Sequence, residues 1–157
     1  MIEPHNPHLY VLLIFDGRVI FVPQDDVQSV EVVVDLQKTD EIGIIGWFVE
    51  HEIESPVFCL AEDLSLLSEL PKKREYFVLL KNEQQPMGIT CDLVENINFK
   101  REHFQLQELP FVMKTPDSPI KQLLIYQEKI ACVCSGPALV KHLYSALEQI
   151  EHSKQTN

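Results

Sequence analysis

The sequence predicts an all-β protein, mainly strands with short helices. Three observations carry this. Apolar runs of five to eight residues, rich in β-branched and aromatic side chains, recur along the chain. Polar turn residues separate them at hairpin spacing. Helical spacing of apolar residues occurs in only two places, 60–67 and 139–150.

Leu9 to Phe15 is the first strand, and Asp16-Gly17 predicts a tight turn with positive φ at both central residues. Arg18 to Val22 returns, and Pro23 stops it. Gln24-Asp25-Asp26 is a turn. Val27 to Val34 is a third strand with imperfect alternation. Asp35 to Glu41 is a polar loop. Ile42 to Val49 and Ser55 to Leu60 form a hairpin with Glu50-His51-Glu52 at its tip. Ala61 to Leu70 predicts a short helix from Leu60, Leu64 and Leu67. Pro71-Lys72-Lys73-Arg74 reads as a basic, polar connector and a subdomain boundary.

Tyr76 to Ile97 predicts the central hairpin. Gly88 lacks a Cβ, which permits a close approach or a bend. Asn98 to Gln107 is extended or irregular. Pro110, Pro116 and Pro119 make 109–119 a loop, because each removes a ladder donor. Ile120 to Tyr126 and Ile130 to Cys134 form another hairpin. Gly136-Pro137 opens a C-terminal helix, whose Leu139, Leu143, Leu147 and Ile150 share one face. Hairpins followed by a short helix thus occur twice.

The 157 residues carry a net charge of −11, unevenly spread. Residues 1–71 hold fourteen acids against Arg18 and Lys38, a balance of −12; residues 72–157 balance at +1. An acidic half repels phosphate, so no nucleic-acid partner is expected. It attracts a basic protein surface. No apolar run approaches the roughly 20 residues of a spanning helix, and the first residues do not read as a signal peptide. A cytoplasmic protein without direct membrane insertion is expected.

Cys59, Cys91, Cys132 and Cys134 sit in apolar runs and read as buried thiols. Cys132 and Cys134 share a strand face, yet two further ligands at zinc spacing are wanting, so no metal or other cofactor is expected. The six histidines lack metal-site spacing, and His51 reads as a solvated tip residue. No G-x-S-x-G, P-loop or dinucleotide fingerprint is present. A binding protein is expected, not an enzyme.

Four segments together resemble the CheW-like domain, the adaptor module of bacterial chemosensory arrays. The first runs from Tyr10 into V-I-F-V-P-Q-D-D-V-Q-S-V. The second, G-W-F-V-E-H-E-I-E-S-P-V-F-C-L, is similar to the family's G-x-x-N-L-R-G-x-x-x-P-V-x-D-L. The third, M-G-I-T-C-D-L-V-E-N-I, aligns Gly88, Asp92, Val94 and Ile97 with G-[LI]-x-V-D-x-V-x-x-V. The closing hairpin and helix are the fourth. Their order and spacing carry the likeness, over about residues 8–148.

The resemblance implies one domain over 8–150. It comprises two small five-stranded barrel-like subdomains sharing a core, about 8–70 and 74–135, and a helix over 137–150. It implies an adaptor in a two-component system, joining a CheA-type histidine kinase to the cytoplasmic tip of a chemoreceptor. Receptor-facing positions fall on Val27, Gly46 and His51, and kinase-facing positions on Ser29 and Val30 beside Glu31. The sequence departs from the family where Arg-Gly becomes His51-Glu52 and Asn-Leu becomes Val49-Glu50. Cys59 replaces the Asp of P-V-x-D-L, and Ser29 replaces a Glu. Such departures suit a divergent system, including one controlling type IV pili. An acidic-rimmed apolar surface on residues 20–60 would dock the partner, with Ile44, Ile45, Trp47 and Phe48 as anchors where they face outward. The alternative is a small-ligand β-barrel whose mouth lies near Glu50 to Glu54.

Overall fold

The computed structural model describes residues 9–98, 105–107, 109–115 and 118–155. It is mostly β, with one long helix at its C-terminal end. Strands β1 (Leu9–Phe15), β2 (Arg18–Pro23) and β3 (Val27–Val32) come first. A hairpin of β4 (Gly46–Glu50) and β5 (Ile53–Phe58) follows. Then come β6 (Tyr76–Leu80), β7 (Met87–Cys91), β8 (Leu93–Asn98) and β9 (Gln105–Gln107). The hairpin of β10 (Ile120–Tyr126) and β11 (Lys129–Cys134) leads into α1 (Gly136–Gln155).

The strands form two sheets, β8-β1-β2-β11-β10-β9 and β3-β6-β7-β5-β4. The expected two-sheet, all-β architecture is present, and the three-residue β9 makes one sheet six-stranded. Each sheet joins two antiparallel hairpins through one parallel pair, β2 with β11 and β5 with β7. The sheets interleave along the chain. β1 and β2 join a sheet otherwise built after residue 92, while β3 to β7 form the other. A division at residues 70–74 therefore does not separate one sheet from the other.

Three apolar clusters explain the continuous apolar runs. Val11, Leu13, Val78, Leu80, Ile89 and Cys91 meet between the sheets, together with Leu139 and Leu143 of α1. Leu12, Phe21, Leu124 and Tyr126 fill the other face of the six-stranded sheet. Phe48, Val57, Phe77 and Leu79 fill the other face of the five-stranded sheet. Strands buried on both faces do not alternate apolar with polar. Each fully buried Leu or Phe contributes about 1.5–3 kcal/mol.

The turns follow local chemistry. Asp16 and Gly17 have φ of 50° and 78°, as the hairpin requires. His51-Glu52 and Gln127-Glu128 make the same positive-φ turn without glycine, so the second hairpin turns on two residues and Lys129 starts β11. At Gly88 a Cβ would lie 2.8 Å from Val57 and 3.1 Å from Phe77, so the expected close approach is made by side chains. The extended run from Met87 breaks at Asp92, where the chain passes from one sheet to the other.

Three expectations are corrected, the third being Gly136 as the cap of the C-terminal helix. Residues 61–70 are not helical. The Asp63 carboxylate accepts hydrogen bonds from the Ser65 backbone N–H and hydroxyl, which hold its pKa below the usual value. Leu64 turns left-handed at φ 68°. Local side-chain bonds compete with helix here, and Leu60 and Leu64 are buried from a loop instead. The second correction concerns Arg74. Although it stands in a basic, polar run, its side chain is fully buried. At the start of α1, Ser135 rather than Gly136 caps the helix, its hydroxyl accepting from Ala138 N–H. Gly136 N–H donates to Asp26 at 2.8 Å.

Candidate interaction surface

The residues expected to contact partners fall into two groups at opposite edges of the five-stranded sheet. Val27, Ser29, Val30 and Glu31 lie on β3, and Gly46 and Trp47 lie on β4. His51 is at the tip after β4, its side chain 88% exposed and 3.8 Å from the Glu50 carboxylate. Val27, read with the receptor-facing set, therefore shares a strand with the kinase-facing set.

The two edges differ. The β4 edge is covered by its own chain: Gln37 and Trp47 exchange two backbone hydrogen bonds of 2.8 and 2.9 Å. A Cβ on Gly46 would stand 3.0 Å from Gln37 O and Leu36 Cβ. Gly46 is buried and offers no side chain to a partner. Trp47 packs partly against the inter-sheet core, while Ile44 and Phe48 are buried. Of the four apolar residues expected as anchors, at least these two fill the interior.

Among the described residues the β3 edge is open. There its one hydrogen-bonded strand neighbour is β6. A bulge between Val27 and Ser29 shifts the register, and the strand ends at Val32, with Val33–Asp35 a 3-10 turn instead of strand; together these explain the imperfect alternation. Beyond the bulge, Ser29 and Glu31 lie opposite Leu79 and Phe77, while Val30 and Val32 lie opposite Val78 and Tyr76. Val30 and Val32 are 43% and 39% exposed, and Val34 just after them is 88% exposed. A cleft of about 490 Å³ continues this row between Val32, Val34, Leu70, Pro71 and Tyr76, with Lys72 and Glu75 also on its wall. Exposed apolar groups arranged this way mark contact surfaces. Sequence reading did not single out Val32, Val34 or the cleft. The V-E-V-V-V run was the available signal, but its outward face depends on the bulge.

Behind this surface Arg74 joins the two sheets. Its Nη2 lies 2.9 Å from Asp16 Oδ2 and donates to Leu60 O at 2.7 Å. Its Nη1 donates to Cys59 Sγ and Thr90 Oγ1, both at 3.2 Å. Its Nε stands 3.2 Å from Asp92 Oδ1, and its guanidinium lies over the Phe15 ring at 4.8 Å. Asp92 is thus a structural partner, and Cys59 meets Arg74 where the family pattern carries an Asp. One guanidinium meets two carboxylates, so the cluster keeps an excess of negative charge, and Asp16 is 36% exposed. Burial pushes the Cys91 and Cys134 thiols up to about 12 and also raises Cys59. These thiols are poor nucleophiles and poor metal ligands at neutral pH. Among the described residues, no group of three or more His, Cys, Asp or Glu is placed to hold a metal ion. Nor is any helix there long and apolar enough to cross a membrane.

The fold defines a two-sheet β protein closed by one C-terminal helix. The structure is similar to the crystal structure of the scaffolding protein TtCheW from Thermoanaerobacter tengcongensis, with a TM-score of 0.62 and 16% sequence identity. The match covers 82% of this chain and 89% of that one, so the fold is CheW-like. No family model matches the chain, and no curated protein sequence does.

Proposed function

We propose that this chain is a non-catalytic adaptor of a bacterial chemosensory system. It couples a CheA-type histidine kinase to the cytoplasmic tip of a chemoreceptor and works in the cytoplasm. The observation that carries the reading is the open β3 edge with its exposed Val30, Val32 and Val34 on a CheW-like fold. The neighbour's description as a scaffolding protein supports it. Val27, Ser29, Val30 and Glu31 form the kinase side of the surface, and the His51 tip with Trp47 behind it forms the receptor side.

The test is a pull-down of the CheA-type regulatory domain and of the chemoreceptor tip from the same genome. Val30→Lys is expected to lose the kinase domain, while Ile130→Lys, at a 68% exposed position on the other sheet, retains it. Retention of neither partner by the wild-type chain would refute the adaptor reading.

A further inference from the structure

The open edge has a chemistry of its own. Natural edge strands are blunted by lysine, proline, shortness or a cover of chain. β4 is covered by Gln37. β9 has three residues. β8 exposes Glu95 and Asn96 along its length. β3 has six residues, no proline and no base. Its bulge lies at its start, which leaves Ser29 to Val32 regular. From residue 19 to residue 37 the chain holds no Lys or Arg, while Asp25, Asp26, Glu31 and Asp35 lie before, on and after the strand.

We propose that the outer edge of β3 takes an extended, Lys- or Arg-bearing protein segment as a sixth strand of the five-stranded sheet. Backbone pairing along Ser29 to Val32 supplies the register. Alternate apolar side chains of the segment lie beside Val30 and Val32, and the next one enters the cleft at Val34, Leu70 and Tyr76. Basic side chains at its centre and at one end meet Glu31 and Asp35, since the Asp26 carboxylate is already held by Gly136 N–H. A second copy of this chain is the wrong occupant. Two β3 strands side by side would bring Glu31 and the following Asp35 of each copy together with no Lys or Arg on either strand. The inference deepens the proposed adaptor function by naming what its kinase side binds, yet it is testable apart from it.

The probe is a fluorescent ten-residue peptide that alternates Val and Thr, with Lys at both ends and one at the centre. Binding to the full chain is followed by anisotropy. Two versions are N-methylated on one or the other set of alternate amides, and a third has Glu for every Lys. Strand addition requires that methylation of one set weakens binding at least tenfold while the other set is tolerated. The Glu version and the Val30→Lys and Glu31→Lys proteins should each lose at least tenfold, with thermal melting unchanged. Added salt should weaken binding.

No binding of the Lys peptide, equal binding of both methylated versions, or equal binding of the Glu version overturns the proposal. So does wild-type self-association in sedimentation that Val30→Lys abolishes. If the kinase domain is retained while the peptide assay fails, strand addition falls and the adaptor reading stands. If the peptide binds as required and neither natural partner does, the adaptor reading falls and strand addition stands.

Discussion

Arg74 and Asp16 meet at 2.9 Å although 58 residues separate them, and the Arg74 side chain is fully buried while Asp16 is 36% exposed. The contact ties the β1–β2 turn to the chain entering β6, and Asp92 adds the β7–β8 junction. One guanidinium thus holds both sheets at the point where the chain crosses between them.

Arg74→Met is expected to destabilise the fold by about 3 kcal/mol, within the range for breaking a buried pair by removing one partner. Leu60 O also loses its buried donor. Urea unfolding followed by circular dichroism measures this. Arg74→Met combined with Asp16→Asn and Asp92→Asn should lose less than Arg74→Met alone, since no carboxylate is then stranded. Equal losses would mean the charges are solvated and Arg74 acts by packing.

Gly88→Ala should cost about 1–3 kcal/mol by overpacking, because the new methyl would sit 2.8 Å from Val57 Cγ2. Val57→Ala in the same chain should recover part of the loss, giving a coupling opposite in sign to simple addition. A double-mutant cycle of urea midpoints reads this directly.

Asp26→Ala should cost about 1 kcal/mol, the usual scale for losing a helix N-terminal acceptor. The carboxylate that accepts from Gly136 N–H at 2.8 Å is removed. Asp26→Asn keeps an oxygen and should lose less. Thermal melting of the three proteins separates the cases.

The thiols predict an alkaline limit. Cys91 and Cys134 titrate near 12 in the folded chain against 9.0 for an open thiol. The folded state therefore holds protons that the unfolded state releases. Stability from these groups is whole below pH 9 and drains away as pH rises toward 12. Urea midpoints at pH 8, 9.5 and 10.5 should fall in that order, and Cys91→Ala should flatten the decline. In native protein at pH 8 all four thiols should resist alkylation, since all are buried.

Much of the fold was legible because its signals are local. Asp16-Gly17 sets its own dihedrals, and the Pro23 stop and the Leu139 to Ile150 face need only neighbours in sequence. The helix expected at 61–70 failed because Asp63 and Ser65 bond each other more readily than they propagate a turn. The candidate surface was half legible. Val30 and Glu31 lie on the open edge, but Gly46 and Trp47 belong to an edge that Gln37 closes from ten residues earlier. Trp47→Asp is accordingly a poor probe of binding, since it also disturbs the core.

By itself the sequence determined most of the strands, the Asp16-Gly17 turn, the terminal helix and the acidic character of the first half. Those depend on side-chain period, on dihedral preference and on simple charge. Only the tertiary structure decided that β2 lies parallel to β11, that β3 is an open edge, and that Arg74 lies inside. A cation next to two lysines reads as part of a polar connector until carboxylates 58 and 18 residues away are brought to it. Burial of that charge is favourable only once both have arrived.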